Sequence, residues 1–265
     1  MPEPSKLDGR VAIVTGAGSS GPGFGTGKAI SVLLAREGAR VVLVDKYEER
    51  AKETLALIEG DGGEATIVTA DLADIAACQQ VVDEAVARFG TVDILVNNAA
   101  IASSTGLLDT TPELYQQVLA VNLTAPFMLT KAVIPIMQRA GGGAIVNITS
   151  IAAMRGSGGG GQTAYAAAKA GLMGLMIDVA DAFGKEGIRI NCIAPGIIDT
   201  PMRTQAMLQA GVDPKEIDLS FKTSLGIEGD AWDIARAVLF LAGPDGRYIT
   251  GVLIPVDGGV VARSH

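Results

Sequence analysis

Short, near-continuous apolar runs rich in β-branched residues alternate along the chain with longer stretches of helical periodicity. The runs fall at Arg10–Thr15, Arg40–Asp45, Ala65–Thr69, Asp93–Asn97, Ala144–Thr149, Arg189–Ala194 and Val252–Val256. A strand with one wet face alternates polar and apolar residues. Runs without that alternation predict strands covered on both faces, as in a parallel sheet. Helical patterns fill the gaps, around 27–37, 47–59, 74–89, 112–138, 163–183 and 230–242. Alternation of this kind predicts βαβ units in an α/β, doubly wound sheet of about seven parallel strands, with helices on both faces. No linker divides the chain, so 1–265 reads as a single domain. The glycines of Gly156–Gly161 read as a flexible loop.

The 163–183 pattern departs from an ordinary surface helix. After Lys169 it continues Ala170-Gly171-Leu172-Met173-Gly174-Leu175-Met176-Ile177, apolar and small on most sides. A helix lying on one sheet shows a polar stripe, so this one is expected to be covered twice. The second cover would be another subunit, in a homo-oligomer that is a tetramer or a dimer.

Composition narrows the function classes. A formal charge of −8 with no basic run argues against a nucleic-acid partner. Cys78 and Cys192 sit far apart in apolar patterns and read as buried, reduced thiols rather than a disulfide or metal site. The one histidine, His265, is at the C-terminus, which removes histidine-based catalysis. No metal site is expected. Met1-Pro2-Glu3-Pro4-Ser5-Lys6 lacks the basic and apolar regions of a signal peptide. The longest apolar candidate is broken by Lys169 and Asp178, so no run of transmembrane length is expected. These features predict a soluble, cytoplasmic protein with no membrane partner.

Candidate chemistry starts at Tyr165-Ala166-Ala167-Ala168-Lys169. Positions i and i+4 share one helix face, and alanines favour the helix. A phenol is a poor acid at neutral pH, and a nearby ammonium stabilises its anion. The pair can therefore act as a general acid/base near neutrality. The alternative is a polar helix face with a tyrosine anchor.

The first strand runs into Thr15-Gly16-Ala17-Gly18-Ser19-Ser20-Gly21-Pro22-Gly23-Phe24-Gly25-Thr26-Gly27, followed at once by helix. Glycines there permit tight turns and bring backbone N–H groups and a helix N-terminus close to a phosphate. Between strand and helix this pattern marks a Rossmann-like dinucleotide site. Asp45, ending the second strand 18 residues beyond Gly27, is placed to bind the adenosine ribose. An acid would repel a 2′-phosphate, which favours NAD over NADP; Lys46 beside it argues the other way. Asp71-Leu72 and Asn97-Asn98-Ala99-Ala100 close the third and fourth strands, where doubly wound folds bind ligands. The two asparagines could instead tie strands together.

In these parts the chain resembles the short-chain dehydrogenase/reductase family in its compact single-domain branch, from about Leu7 to Gly259. The parts occur in family order: Thr15-Gly16 with Gly25-Thr26-Gly27, then Asp45, Asp71, Asn97-Asn98-Ala99, Asn122, Ser150, Tyr165/Lys169, Pro195-Gly196 and Val256-Asp257-Gly258-Gly259. The resemblance implies that Tyr165 is the general acid/base. Lys169 would lower its pKa and hold the nicotinamide ribose, and Ser150 would steady charge on the substrate oxygen. Asn122 would sit at a helix irregularity and help hold a water linking Lys169 to solvent. Asp71 would contact the adenine and Asn98 the neighbouring ribose region, while Ile198 and Thr200 would face the carboxamide. The chain departs from the family pattern in three places. The glycine loop is about five residues long in excess, leaving open which of Gly18, Gly21 and Gly23 touches phosphate; Ala100 replaces a glycine; and Ser150 and Tyr165 stand 15 apart.

The implied activity is an NAD-dependent interconversion of a secondary alcohol and a ketone. Residues 201–227 are expected to form a lid, with Met202, Met207, Leu208, Leu219, Phe221 and Leu225 as its apolar side chains and Met154 lining the same pocket. An apolar or cyclic alcohol fits such a lining; Arg155, Arg203 and Lys222 could instead meet an acidic substrate. Two other functions are a non-catalytic NAD-binding regulator and a sugar-nucleotide epimerase or dehydratase. An activated phenol speaks against the first, and the few residues after the last strand against the second.

Overall fold

The computed structural model describes residues 5–103, 105–156, 161–209, 211–214 and 217–263. The glycine run at 157–160, His265, most of the Met1–Lys6 segment and lid positions 210, 215 and 216 lie outside the described residues.

The strands are β1 (Val11–Thr15), β2 (Arg40–Asp45), β3 (Ala65–Thr69), β4 (Ile94–Asn97), β5 (Gly143–Ile148), β6 (Ile188–Pro195), β7 (Ile198–Asp199), β8 (Gly229–Asp230) and β9 (Leu253–Val256). The helices are α1 (Thr26–Arg36), α2 (Glu48–Gly60), α3 (Ile75–Phe89), α4 (Pro112–Leu119), α5 (Ala125–Ala140), α6 (Thr163–Phe183), α7 (Pro201–Gln209) and α8 (Ala231–Ala242). Seven strands form one parallel sheet in the order β3-β2-β1-β4-β5-β6-β9. Every expected strand is present within one or two residues of its expected ends.

Burial on both faces is visible within β1. Ala12 and Val14 pack with Ile30 and Leu34 of α1 and Ile234 and Val238 of α8. Val11 and Ile13 pack with Val81 of α3, Leu129 of α5 and Leu172 of α6. Each such aliphatic side chain, removed from water, contributes about 1.5–3 kcal/mol. The chain reverses direction across the sheet between β1 and β4, the switch point where doubly wound folds bind ligands.

The helix irregularity expected at Asn122 is present: α4 and α5 are joined by a π turn, Ala120–Thr124, with Asn122 fully buried in it. Another expectation needs correction. The continuous run Pro112–Ala140 is also 29 residues long with a mean hydropathy of 1.5, enough to cross a membrane by those measures alone. The expectation that no run reaches that length fails. In the fold the same run buries Leu129, Val133 and Met137 against the sheet, as a core helix does. Cys78 and Cys192 are free and buried, and burial pushes their thiols up to about 11 and about 12.

Candidate active site

A cleft of about 1090 Å³ runs along the C-terminal ends of the strands. Ser150 and all the expected cofactor residues line it: Gly16, Gly25, Gly27, Asp45, Asp71, Leu72, Asn98, Tyr165, Lys169, Pro195, Gly196, Ile198 and Thr200. Asn122 does not.

The dinucleotide end is built by close backbone approach. Gly16, at the end of β1, holds φ +63°, and a Cβ added at Gly27 would overlap the Gly16 carbonyl. No side chain caps α1, whose first residues, Thr26 and Gly27, line the cleft behind Gly25. Its leading N–H groups and helix dipole are therefore available to an anion. Gly18 also lines the cleft, and its N–H donates to the Asp45 carboxylate at 3.0 Å. Gly21 instead faces Pro201, and Gly23 does not line the cleft. Of the three glycines left open by sequence, Gly18 is the one on the site.

Asp45 also accepts from the Tyr47 N–H at 3.0 Å. Lys46, the residue favouring a 2′-phosphate, is paired with Asp71 at 2.7 Å. That hydrogen bond, aided by the Ala73 N–H, holds the Asp71 carboxyl below its usual range. The glycine cradle, uncapped helix and Asp45 together fit an adenine dinucleotide.

Both asparagines at the end of β4 act as ties. Asn97 Nδ2 donates to Asn147 Oδ1 on β5 at 2.8 Å, and Asn98 Nδ2 donates to the Thr15 and Gly16 carbonyls at 2.9 and 3.1 Å. The Thr15 hydroxyl returns the tie by accepting from the Asn98 and Ala99 N–H groups. Ala100 tolerates its position, because no described non-glycine residue has positive φ.

At the other end, Ser150 follows β5 while Tyr165 and Lys169 project from α6. Ser150 and Tyr165 line the cleft together, and the Ser150 hydroxyl accepts from the Ala152 N–H at 3.1 Å. Lys169 is 2% exposed, its Nζ donating to the Ile148 carbonyl at 2.7 Å and lying 5.8 Å from the Tyr165 ring centroid. Burial pushes Lys169 down to about 8, with Cys192 opposing slightly. Burial pushes the Tyr165 phenol up, and only Ser150 pulls it back. This corrects the expectation that Lys169 lowers the Tyr165 pKa: within the protein alone, desolvation wins. The Asn122 side chain clasps one residue, accepting from the Ile101 N–H at 2.9 Å and donating to its carbonyl at 3.0 Å. It fixes the loop after β4 that borders the site.

The segment expected to form a lid runs between β7 and β8, which pair in parallel as a separate small sheet. Met202, Leu219 and Phe221 line the cleft; Met207, Leu208, Leu225 and Met154 do not. Several clasps were not evident from sequence. Arg203 pairs with both Glu228 and Asp199, Gln205 donates to the Ser20 carbonyl, and Arg155 donates to the Val260 carbonyl at 2.7 Å. The signal for the second clasp was the extra length of the glycine loop, which reaches the lid.

Comparison with known proteins agrees with this architecture. The family model described as enoyl-(acyl carrier protein) reductase matches residues 22–261. The chain is 38% identical over 256 residues to the uncharacterized short-chain type dehydrogenase/reductase y4mP of Sinorhizobium fredii, covering 96% of this chain and 98% of that one. It is 36% identical to the 2,5-dichloro-2,5-cyclohexadiene-1,4-diol dehydrogenase LinX of Sphingobium indicum, over 96% and 97% of the two chains. The structure of carveol dehydrogenase from Mycobacterium avium in complex with NAD superposes with a TM-score of 0.89 at 29% identity, covering 98% of this chain and 100% of that one.

Proposed function

The chain belongs to the short-chain dehydrogenase/reductase family of oxidoreductases, and from that premise we propose that it interconverts a secondary alcohol and a ketone with NAD. The observation that carries the reading is the placement of Ser150, Tyr165 and the buried Lys169 in the same cleft as the glycine cradle and Asp45. A binding module has no use for a serine hydroxyl, a phenol and a buried ammonium gathered in such a cleft.

When bound, NAD supplies the hydride acceptor. The residues of the chain do the rest. Gly16, Gly18 and the start of α1 would hold the NAD diphosphate, Asp45 the adenosine ribose and Lys169 the second ribose. Ser150 orients the substrate hydroxyl, and ionised Tyr165 takes its proton as charge leaves the carbon; in the reverse direction the Tyr165 phenol returns that proton. NAD is favoured over NADP because Asp45 would repel a 2′-phosphate while Lys46 is held by Asp71. The substrate is an apolar or cyclic alcohol, supported by Met202, Leu219 and Phe221 on the cleft and by the similarity to a cyclohexadienediol dehydrogenase. The chain works as a homo-oligomer, supported by the exposure of Ile177 on α6 and Phe127 on α5; a monomer by size-exclusion chromatography with light scattering would exclude it.

Tyr165→Phe tests the chemistry. Loss of the general acid/base should lower kcat about 10²–10⁴-fold while NADH binding, followed by fluorescence, stays close to wild type. Full turnover in that variant would remove the assignment. Comparing kcat/KM with NAD and NADP on one alcohol tests the cofactor.

A further inference from the structure

Three cations at the substrate end of the cleft have no carboxylate partner among the described residues: Arg155, Lys222 and Arg263 all line it. Lys169 is buried beside Tyr165, and Arg203 is neutralised by Glu228 and Asp199. The acids on the cleft, Asp45 and Asp71, stand at the dinucleotide end, engaged respectively with the Gly18 and Tyr47 N–H groups and with Lys46. The chain carries 29 acidic and 21 basic residues. In so acidic a protein, three uncompensated bases at one mouth mark a local positive field.

The two arginines are also held in place. Arg155, in the loop after Ser150, donates through Nη1 to the Val260 carbonyl at 2.7 Å. Three residues further along, Arg263 donates through Nη1 to the Phe221 and Thr223 carbonyls, the neighbours of Lys222. Asp257 fixes this C-terminal turn by accepting from the Gly259 and Val261 N–H groups at 2.9 and 2.8 Å. The segment thus stitches the serine loop to the lid and gathers the cations on one side. Backbone carbonyls hold the guanidinium groups without cancelling their charge, and each keeps further N–H donors. Ile151, Ala152, Leu219, Phe221 and Val260 supply apolar surface on the same cleft.

We infer that the substrate is an amphiphile, with an apolar body carrying the reacting hydroxyl or ketone and a carboxylate received by Arg155, Arg263 and Lys222. The guanidinium fork matches a planar carboxylate, and a pre-held fork loses little freedom on binding. The inference rests on the oxidoreductase reading, since it takes Ser150 and Tyr165 as the other end of the same substrate.

Isothermal titration of the full chain saturated with NADH separates the two claims, using cyclohexanecarboxylate, its neutral carboxamide and cyclohexyl phosphate as probes. The carboxylate should bind at least about tenfold more tightly than the carboxamide, the scale of one good charge-assisted contact. That advantage should shrink several-fold in Arg155→Gln and in Arg263→Gln. Arg263 and Lys222 are exposed, so Arg263→Gln and Lys222→Gln serve where Arg155→Gln fails to fold. Equal affinity for acid and amide, including no detectable binding of either, overturns the carboxylate site. So does an advantage that survives the substitutions, or tighter binding of the phosphate. Turnover of hydroxycyclohexanecarboxylates and neutral cyclohexanols with NAD is scored separately. A carboxylate preference with no NAD reduction by any alcohol removes the oxidoreductase reading. Turnover of neutral alcohols with no binding preference removes only the carboxylate site.

Discussion

Lys169→Met should make the protein without nucleotide no less stable near neutral pH, and less stable than wild type at alkaline pH. Lys169 is almost wholly inaccessible, and burial pushes its pKa from 10.5 to about 8. At about 1.4 kcal/mol per pH unit, that difference places roughly 3 kcal/mol of destabilisation on the folded ammonium. The folded value lies below the unfolded one, so between about pH 8 and 10.5 the unfolded chain binds more protons and wild-type stability rises with pH. Below about pH 8 the full cost is present. Methionine removes the cost but leaves the Ile148 carbonyl without its donor, a loss of about 1–3 kcal/mol. The net change near neutrality is a gain of about 0–2 kcal/mol, or up to several degrees in Tm for a chain of this size. At about pH 10 most of the wild-type cost has gone and the carbonyl loss remains, so the order reverses. Differential scanning calorimetry of both proteins at about pH 7 and about pH 10 reads this directly. A Tm difference that is the same at both pH values would refute the argument, whatever its sign. Activity should be lost in the variant at either pH.

Gly27→Ala sets a methyl against the Gly16 carbonyl; it should cost about 1–3 kcal/mol by overpacking and weaken NADH binding, both readable by thermal shift with and without nucleotide. Arg189 donates to the Leu241, Ala242, Gly243 and Ile249 carbonyls around the end of α8. Arg189→Met should therefore lower stability by about 1–3 kcal/mol in denaturant titration, with kcat little changed. Burial holds the Tyr165 phenol above its ordinary value, and alcohol oxidation needs its anion. The rate of oxidation should climb with pH as the phenol ionises while ketone reduction falls; an oxidation rate that does not change with pH would contradict the assignment of the base.

The sheet was legible because its strands are buried on both faces, and that leaves an unbroken apolar run in the sequence. Strand ends were less so. Arg10 and Asp93 read as the first residues of strands, yet both precede them: Asp93 accepts from Arg10 and from the Val11 N–H at 2.8 and 2.9 Å, so the pair locks the foot of the sheet. The lining of the cleft was legible because its residues lie at strand ends or in glycine turns, where local pattern and topology coincide. What was not legible is held by contacts between distant residues. Nothing near Asn98 in sequence says that its amide is spent on Thr15 and Gly16, or near Arg155 that it reaches Val260. Lid methionines and leucines share one composition, but only the fold sorts Met202, which lines the cleft, from Leu208, which is 59% exposed.

The same distinction explains why the charge argument for Tyr165 and Lys169 changed sign. Helical spacing brings the two side chains to one face, and proximity alone predicts a phenol made more acidic by an ammonium. Spacing carries no information about water. In the fold, α6 turns that face inward, so both groups lose solvation, the phenol is pushed up and the ammonium down. Each shift opposes the phenolate–ammonium state that catalysis uses. Ser150 pulls the phenol back down and the Ile148 carbonyl accepts from the ammonium, and neither outweighs burial. Further acceptors beside Lys169 and further donors beside Tyr165 would have to come from whatever fills the cleft. Activation of the base is thereby tied to ligand occupancy, and the desolvation that weakens the pair when bare would strengthen every polar contact made to it when filled.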